Sequence, residues 1–161
     1  MPLDLETLTT YLDDHLAGAQ GALALLERLE PDPRDGLDLE GLQREIEEDR
    51  VAATRLLETW GEKPSGIKRA AGWVAQQLSR PKLPDDGALG RFEALELLSL
   101  GILGKRALWR TLAALRADAA AETLPSALEL ERLEARANDQ HERVERARLV
   151  CARRAFHARP G

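Results

Sequence analysis

Hydrophobic residues recur at intervals of three and four along most of this chain, the spacing that places them on one face of an α-helix. The first such pattern runs from Leu5 to Leu29 and follows Asp4, a favourable N-cap residue. The second follows Asp38 and ends at Gly61, a residue type that commonly closes helices. Both patterns are longer than five turns. They predict two long amphipathic helices in the first part of the chain.

The second half of the chain predicts two further long helices. One covers Arg91 to about Ala119 and is apolar on nearly every side, as expected of a helix inside a bundle. The other begins at Ser126, which forms a capping box with Glu129, and ends near Phe156. A shorter apolar pattern from Ser65 to about Ser79 predicts a short helix between the second and third long helices.

Composition supports an all-α fold. Charged residues make up 32% of the chain and apolar residues 43%, with few aromatic side chains, as in long amphipathic helices packed through Leu and Ala. The 161 residues suffice for one core without disulfides or metals. We therefore predict one domain, residues 1–161, built as a four-helix bundle whose long helices each exceed twenty residues.

Polar residues interrupt these apolar patterns near their midpoints. His15 interrupts the first helix, Asp49 the second and Gln140 the fourth, while Glu93 and Glu96 lie in the most hydrophobic part of the third. Because helix midpoints share one height in an antiparallel bundle, we expect these groups to converge. A buried carboxylate without a partner costs several kcal/mol, so a cation, a proton or a histidine is expected beside them.

Each of these residues also has a purely structural interpretation. His15 lies one turn from Tyr11 and could be a core histidine, and Gln140 could be hydrogen-bonded within the core. Asp49 could pair with a neighbouring basic residue such as Lys105 rather than with a metal ion. Glu93 and Glu96 could form a narrow solvent-exposed face. The sequence leaves these alternatives open.

Charge is unevenly distributed along the chain. Residues 1–50 hold fourteen Asp and Glu against four Arg, whereas residues 141–161 hold six Arg against two Glu. In a compact bundle the acidic first half and the basic last helix can neutralise one another, and this interpretation is favoured over a nucleic-acid-binding surface. We therefore expect no nucleic-acid partner, with a basic-tail adaptor as a minor alternative.

Three observations bear on localisation. Cys151 is the only cysteine, which excludes an intrachain disulfide and is compatible with a reducing compartment. The N-terminal residues show no secretory signal. The longest apolar run, Leu95 to Leu103, is interrupted by polar residues and is too short to span a bilayer. The sequence predicts a cytoplasmic protein without a membrane segment.

Two stretches resemble a known family. LLETWGEKPSGIKRAAGWVAQQL, residues Leu56 to Leu78, is similar to the turn and short helix of the YciF-type stress-induced ferritin-like proteins, and FEALE, Phe92 to Glu96, resembles their acidic third-helix motif. This resemblance implies a ferritin-like four-helix bundle with the short extra helix in the crossover between helices two and three. It also implies a di-metal site built from Glu on two helices and Glu-x-x-His on the others.

The ligand set implied by the resemblance is incomplete in this chain. Helix two carries Glu45-x-x-Glu48 without a histidine, and Asn138 stands three residues before His141. One hypothesis is a ferritin-like protein whose site is an altered, buried polar network without di-iron catalysis. The other is an iron or manganese site, as oxygen-rich ligands favour. Its ligands would be Glu96, Asp49 and His15, with Glu48, Glu93 and Gln140 as secondary candidates.

Excess apolar surface on the third helix predicts self-association. Four of its large side chains point away from the stripe formed by Leu95, Leu98, Ile102 and Leu112; they are Leu97, Leu100, Leu108 and Trp109. A surface left over in this way would suit a partner. We expect a homodimer with twofold symmetry, the commonest arrangement.

Overall fold

The computed structural model describes residues 2–65, 87–118 and 123–157, and in these ranges the chain is helical with no β-strand. It forms an all-α four-helix bundle of α1 Leu5–Leu26, α2 Leu39–Thr59, α3 Ala88–Asp118 and α4 Ala127–Phe156. Their lengths of 22, 21, 31 and 30 residues confirm the prediction of four helices longer than twenty residues. Apart from Ser65, the predicted short helix lies outside the described residues. None of the helices described is long and apolar enough to cross a membrane.

The helix starts follow from local hydrogen bonding. Each predicted N-cap side chain accepts a hydrogen bond from the backbone N–H three residues later: Asp4 from Thr7, Asp38 from Gly41, and Ser126 from Glu129. These contacts satisfy N–H groups that have no partner within the helix. Gly61 follows α2 with φ at 82°, a conformation that glycine adopts without strain.

Contacts at the two ends of the bundle fix the directions of the helices. Near the start of α3, the Arg91 guanidinium donates to the Glu30 carbonyl oxygen, 2.6 Å away, and to the Asp35 carboxylate, 2.5 Å away, both in the α1–α2 connection. After the end of α2, the Trp60 indole N–H donates to the Thr123 carbonyl oxygen just before α4. The chain therefore runs up in α1, down in α2 and α3, and up in α4. The end of α2 and the start of α3 lie at opposite ends of the bundle.

The packed interface between α3 and α4 is the most extensive in the bundle. Its polar contacts show that the two helices are antiparallel, because positions that advance along α3 pair with positions that go back by the same number of residues along α4. The pairs are Glu96 with Arg148, Ser99 with Glu145, Arg106 with Asn138, and Arg110 with Glu134. Between these contacts both helices bury leucines, including Leu98 and Leu133, each 1% exposed. α1 packs in turn against α2 and α3, whereas the backbones of α2 and α4 stay farther apart.

Ion pairs join the acidic first half of the chain to the basic last helix, as the charge distribution predicts. From the α1–α2 connection and α2, four acidic residues reach arginines of α4: Asp32 with Arg154, Glu45 with Arg143, and both Glu48 and Asp49 with Arg136. These pairs lie on the side of the bundle where α2 faces α4. We call this the charged interface, because side-chain charges rather than close backbone packing connect the two helices.

Candidate functional site

Asp49 is the centre of the polar site. It lies on the inner face of α2 between Ile46 and Ala53, the positions that the three- and four-residue spacing also turns toward the core, and it is only 2% exposed. One carboxylate oxygen accepts hydrogen bonds from the Lys105 ammonium of α3 and from the Gln140 amide of α4, the latter at 3.3 Å. The other oxygen accepts from the Arg136 guanidinium of α4. The buried charge is therefore paired on both oxygens.

Gln140 connects the two acidic residues of the site. Its side-chain oxygen accepts a hydrogen bond from Lys105, and its side-chain nitrogen donates to Glu45 at 3.1 Å as well as to Asp49. Both ends of this fully buried amide are thus satisfied, as buried polar groups require. We call the residues Glu45, Asp49, Lys105, Arg136 and Gln140 the Asp49 network.

Exposure decreases from the surface toward the centre of this network. The side chain of Glu48, which pairs with Arg136 at 2.7 Å, is 65% exposed, whereas that of Arg136 is 19% exposed and that of Asp49 only 1%. Arg136 therefore links a hydrated carboxylate to a buried one. Ion pairs at the exposed end contribute little to the stability of the protein. Removing one partner of a pair at the buried end lowers the unfolding free energy by several kcal/mol.

Lys105 reaches the network from the opposite helix. Burial lowers the pKa of its ammonium, while the Asp49 carboxylate opposes that shift. An ammonium group donates three hydrogen bonds and accepts none, so Asp49 and Gln140 use two of its protons. The lysine supplies, from within the chain, a cation beside the buried Asp49 carboxylate.

His15 lies beside the network rather than in it. Its ring meets the Tyr11 ring edge to face with centroids 4.7 Å apart, and the residue is half-buried. His15 and Asp49 both line a small cavity between α1, α2 and α3. Burial lowers the pKa of the His15 imidazole, and the nearby Asp14 carboxylate partly offsets this effect. The neutral imidazole is thus the favoured form in the folded protein.

The expectation that Glu93 and Glu96 are buried is wrong. Both are exposed, and Glu96 pairs with Arg148 at 3.5 Å on the surface of the packed interface. Leu100, at 60% exposure, shares this surface, so the alternative of a narrow solvent-exposed face describes the arrangement. Glu96 is also nine residues from Lys105, about 13 Å along the helix axis. The structure therefore brings Asp49 and Gln140 together and places His15 close by, but it leaves Glu96 apart.

The donor set of the Asp49 network does not fit a di-metal centre. Metal ions would need free carboxylate oxygens, but those of Asp49 already accept from Lys105, Gln140 and Arg136. Within the described ranges, no group of three or more His, Cys, Asp and Glu side chains is arranged to hold a metal ion. Metal coordination by Glu96, Asp49 and His15 stays a prediction to be tested by metal analysis.

The sequence predicts Lys105 as an alternative partner of Asp49, but it does not predict the contributions of Arg136, Arg143 and Glu45. A signal for them exists. Arg136, Gln140 and Arg143 are spaced by four and three residues and share one face of α4, while Glu45, Glu48 and Asp49 share one face of α2. Two helix faces of opposite charge predict an interface between them.

The left-over apolar surface proposed for α3 is smaller than expected. Leu108 and Trp109 are each 1% exposed and belong to the core, so assigning them to an outer surface is wrong. Leu97 is half-buried, and Leu100 is the member of that set that is strongly exposed. The long third helix buries residues on several sides because both α1 and α4 pack against it.

Comparisons with known proteins give no assignment. No protein-family model, no curated protein and no solved structure matches this chain. The geometry of the site and the direction of the helices are therefore the basis for the proposal that follows.

Proposed function

We propose that this chain is a cytoplasmic, ferritin-like protein without di-iron catalysis. In this proposal an ion network stands where that superfamily binds metal, and the protein acts through its fold. The observation that carries the proposal is the position of the Lys105 ammonium between Asp49 and Gln140 at mid-bundle. A cation supplied by the protein neutralises the buried carboxylate that a metal ion would otherwise neutralise.

The path of the chain supports the ferritin-like part of the proposal. α2 and α3 run in the same direction, so the chain must return from one end of the bundle to the other between them. A four-helix bundle with one such crossover is the arrangement found in ferritin-like folds. The resemblance of Leu56 to Leu78 and of Phe92 to Glu96 to that superfamily agrees with this path.

Metal analysis tests the proposal. Protein made in medium supplemented with iron and manganese and purified without a chelator is expected to contain neither metal in stoichiometric amount. Addition of Mn²⁺ is expected to leave the melting temperature unchanged, because a ligand that binds the folded state raises it. One metal ion per chain, lost in both Asp49→Asn and Glu96→Gln, would instead establish the iron or manganese site.

We also propose that the protein forms a homodimer. Leu100 on α3 and Leu149 on α4 are 60% and 52% exposed, and Phe156 at the end of α4 is 65% exposed. Sedimentation is expected to show a dimer at tens of micromolar that Leu100→Glu weakens. A strict monomer at that concentration would contradict this part of the proposal.

A further inference from the structure

The face of α3 that points away from the bundle carries a regular stripe of side chains. At its centre Leu100 is 60% exposed and Leu103 is half-buried. Acidic residues precede these leucines, and a small residue and a basic residue follow them. The six members, which we call the outer stripe of α3, are Glu93, Glu96, Leu100, Leu103, Ala107 and Arg110. Spacings of three and four residues keep side chains on one helix face, so the stripe forms one continuous surface.

The outer stripe is symmetric about the midpoint between its two leucines. Its members are alternately three and four residues apart, and this order of spacings is the same when it is read from either end. Glu93 lies seven residues before Leu100, and Arg110 lies seven residues after Leu103. Two copies of the stripe laid antiparallel would therefore bring Leu100 against Leu103 of the partner subunit. The same arrangement would bring Glu93 against Arg110 of the partner subunit at both ends.

Charge favours this antiparallel arrangement over a parallel one. In a parallel pair about the same centre, Glu93 would face its own copy and so would Arg110, and like charges across an interface repel. In the antiparallel pair each glutamate faces an arginine. Both side chains can reach a partner, because Glu93 is exposed and the Arg110 side chain is 64% exposed. The contact of Arg110 with Glu134 of its own chain, at 3.6 Å, is too long for a hydrogen bond.

The remaining charge of the outer stripe is also accommodated. Glu96 pairs with Arg148 of its own chain at 3.5 Å, so its carboxylate already has a cation beside it. The position opposite Glu96 in the antiparallel pair is Ala107, whose small side chain leaves room for that ion pair. The arrangement thus has leucines at its centre and paired charges toward its ends, the usual layout of a protein–protein interface.

We propose that a second copy of this chain docks on the outer stripe of α3, with the two α3 helices antiparallel and the twofold axis between Leu100 and Leu103. Two ion pairs between Glu93 and Arg110 close the ends of the interface. The inference rests on the proposed homodimer and names the surface and the register that form it. A twofold axis repeats every contact, so each substitution in the stripe acts twice. One helix face makes a small interface, so a dissociation constant in the micromolar range is expected.

Charge reversal, followed by sedimentation equilibrium of the full-length protein, tests the register. Glu93→Arg places two arginines opposite each other at both ends of the dimer, and Arg110→Glu places two glutamates there. Either single variant is expected to raise the dimer dissociation constant by roughly tenfold or more. The double variant, Glu93→Arg with Arg110→Glu, restores opposite charges and should return to within about threefold of the wild type.

A matched control separates the interface from a general effect of charge. Glu58→Arg makes the same change of charge at an exposed position of α2 and should leave the dissociation constant near the wild-type value. Circular dichroism establishes that each variant is folded, and if one charge variant does not fold, the other tests the same contact from its opposite side. Single variants that dimerise like the wild type, or a double variant as weak as the single ones, would overturn the proposal.

Failure of this inference and failure of the proposed function give different results. A wild-type protein that stays a strict monomer at tens of micromolar would remove the homodimer and this interface with it. A wild-type dimer that neither charge variant weakens would remove only this interface and leave the homodimer to another surface, such as that of Leu149 and Phe156 on α4. Neither result depends on the metal content of the protein.

Discussion

The two interfaces of α4 are built by different means. Toward α3, α4 packs closely through leucines, with polar contacts in regular register along the edge. Toward α2, the backbones stay apart and Arg136, Gln140 and Arg143 bridge the gap to acidic residues. Apolar contact is non-directional and tolerates substitutions that conserve volume, whereas a buried charge depends on each of its partners. The packed interface therefore supplies cohesion, and the charged interface is the side on which single changes in charge matter.

The largest loss of stability is expected when the α3 cation that contacts Asp49 is removed. Lys105→Met leaves Asp49 with one cation instead of two and breaks the hydrogen bond to Gln140. Breaking a buried ion pair costs about 3–5 kcal/mol of unfolding free energy, which urea denaturation can measure. Lys63→Met, at an exposed lysine, is the matched control and should change stability by less than about 0.5 kcal/mol. Equal stability of the two variants would refute the role assigned to Lys105.

Truncating a leucine of the α4 core is expected to have a comparable or somewhat smaller effect. Leu133→Ala removes a side chain that is 1% exposed and should cost about 2–5 kcal/mol through lost burial and a new cavity. Leu128→Ala, where 76% of the residue is exposed, is the control and should stay near wild-type stability in the same denaturation assay. Similar losses for both leucines would show that α4 is packed differently.

Lowering the pH should destabilise the protein through His15, by less than either core substitution does. Its folded-state pKa is lowered below 6.5 by burial, so the unfolded chain takes up a proton first as the pH falls. The stabilising contribution is present above about pH 6.5 and is lost as the pH falls from there through the folded-state pKa. His15→Gln should flatten the dependence of unfolding free energy on pH between 7 and 5. The same slope in His15→Gln and in the wild type would contradict this assignment.

The smallest change in stability is expected when Glu96, on the outer surface, is replaced. The Glu96 side chain is 51% exposed, so water and salt screen its attraction to Arg148. Glu96→Gln should therefore change the unfolding free energy by less than about 1 kcal/mol. Metal content should be the same as in the wild type. A loss of bound metal in Glu96→Gln would instead support the ligand role predicted from sequence.

Helix positions could be predicted from sequence because the determining interactions are local. Asp4, Asp38 and Ser126 cap helices by bonding to an N–H three residues away, and the apolar spacing fixes which face turns inward. The third helix was harder, since packing against both α1 and α4 buries several of its faces. Leu108 and Trp109 consequently look like surplus surface in the sequence although they belong to the core.

The candidate site was predictable only in part. Asp49 and Gln140 each stand alone in an apolar stripe, and such a position implies burial and a partner. Glu96 lies among leucines too, but it stands at the exposed edge of the packed interface, beside Arg148. Which charges meet across two helices depends on their rotation and register, and neither is encoded by spacing within one helix.

A double-mutant cycle between Asp49 and Lys105 tests most directly whether these residues form one buried ion pair at mid-bundle. Asp49→Asn, Lys105→Met and the double variant are compared with the wild type by urea denaturation. We expect each single variant to lose several kcal/mol and the double variant to lose much less than their sum, with a coupling of about 2–3 kcal/mol. Additive losses would contradict direct pairing of the two charges. The cation that neutralises Asp49 would then have to be a group other than Lys105.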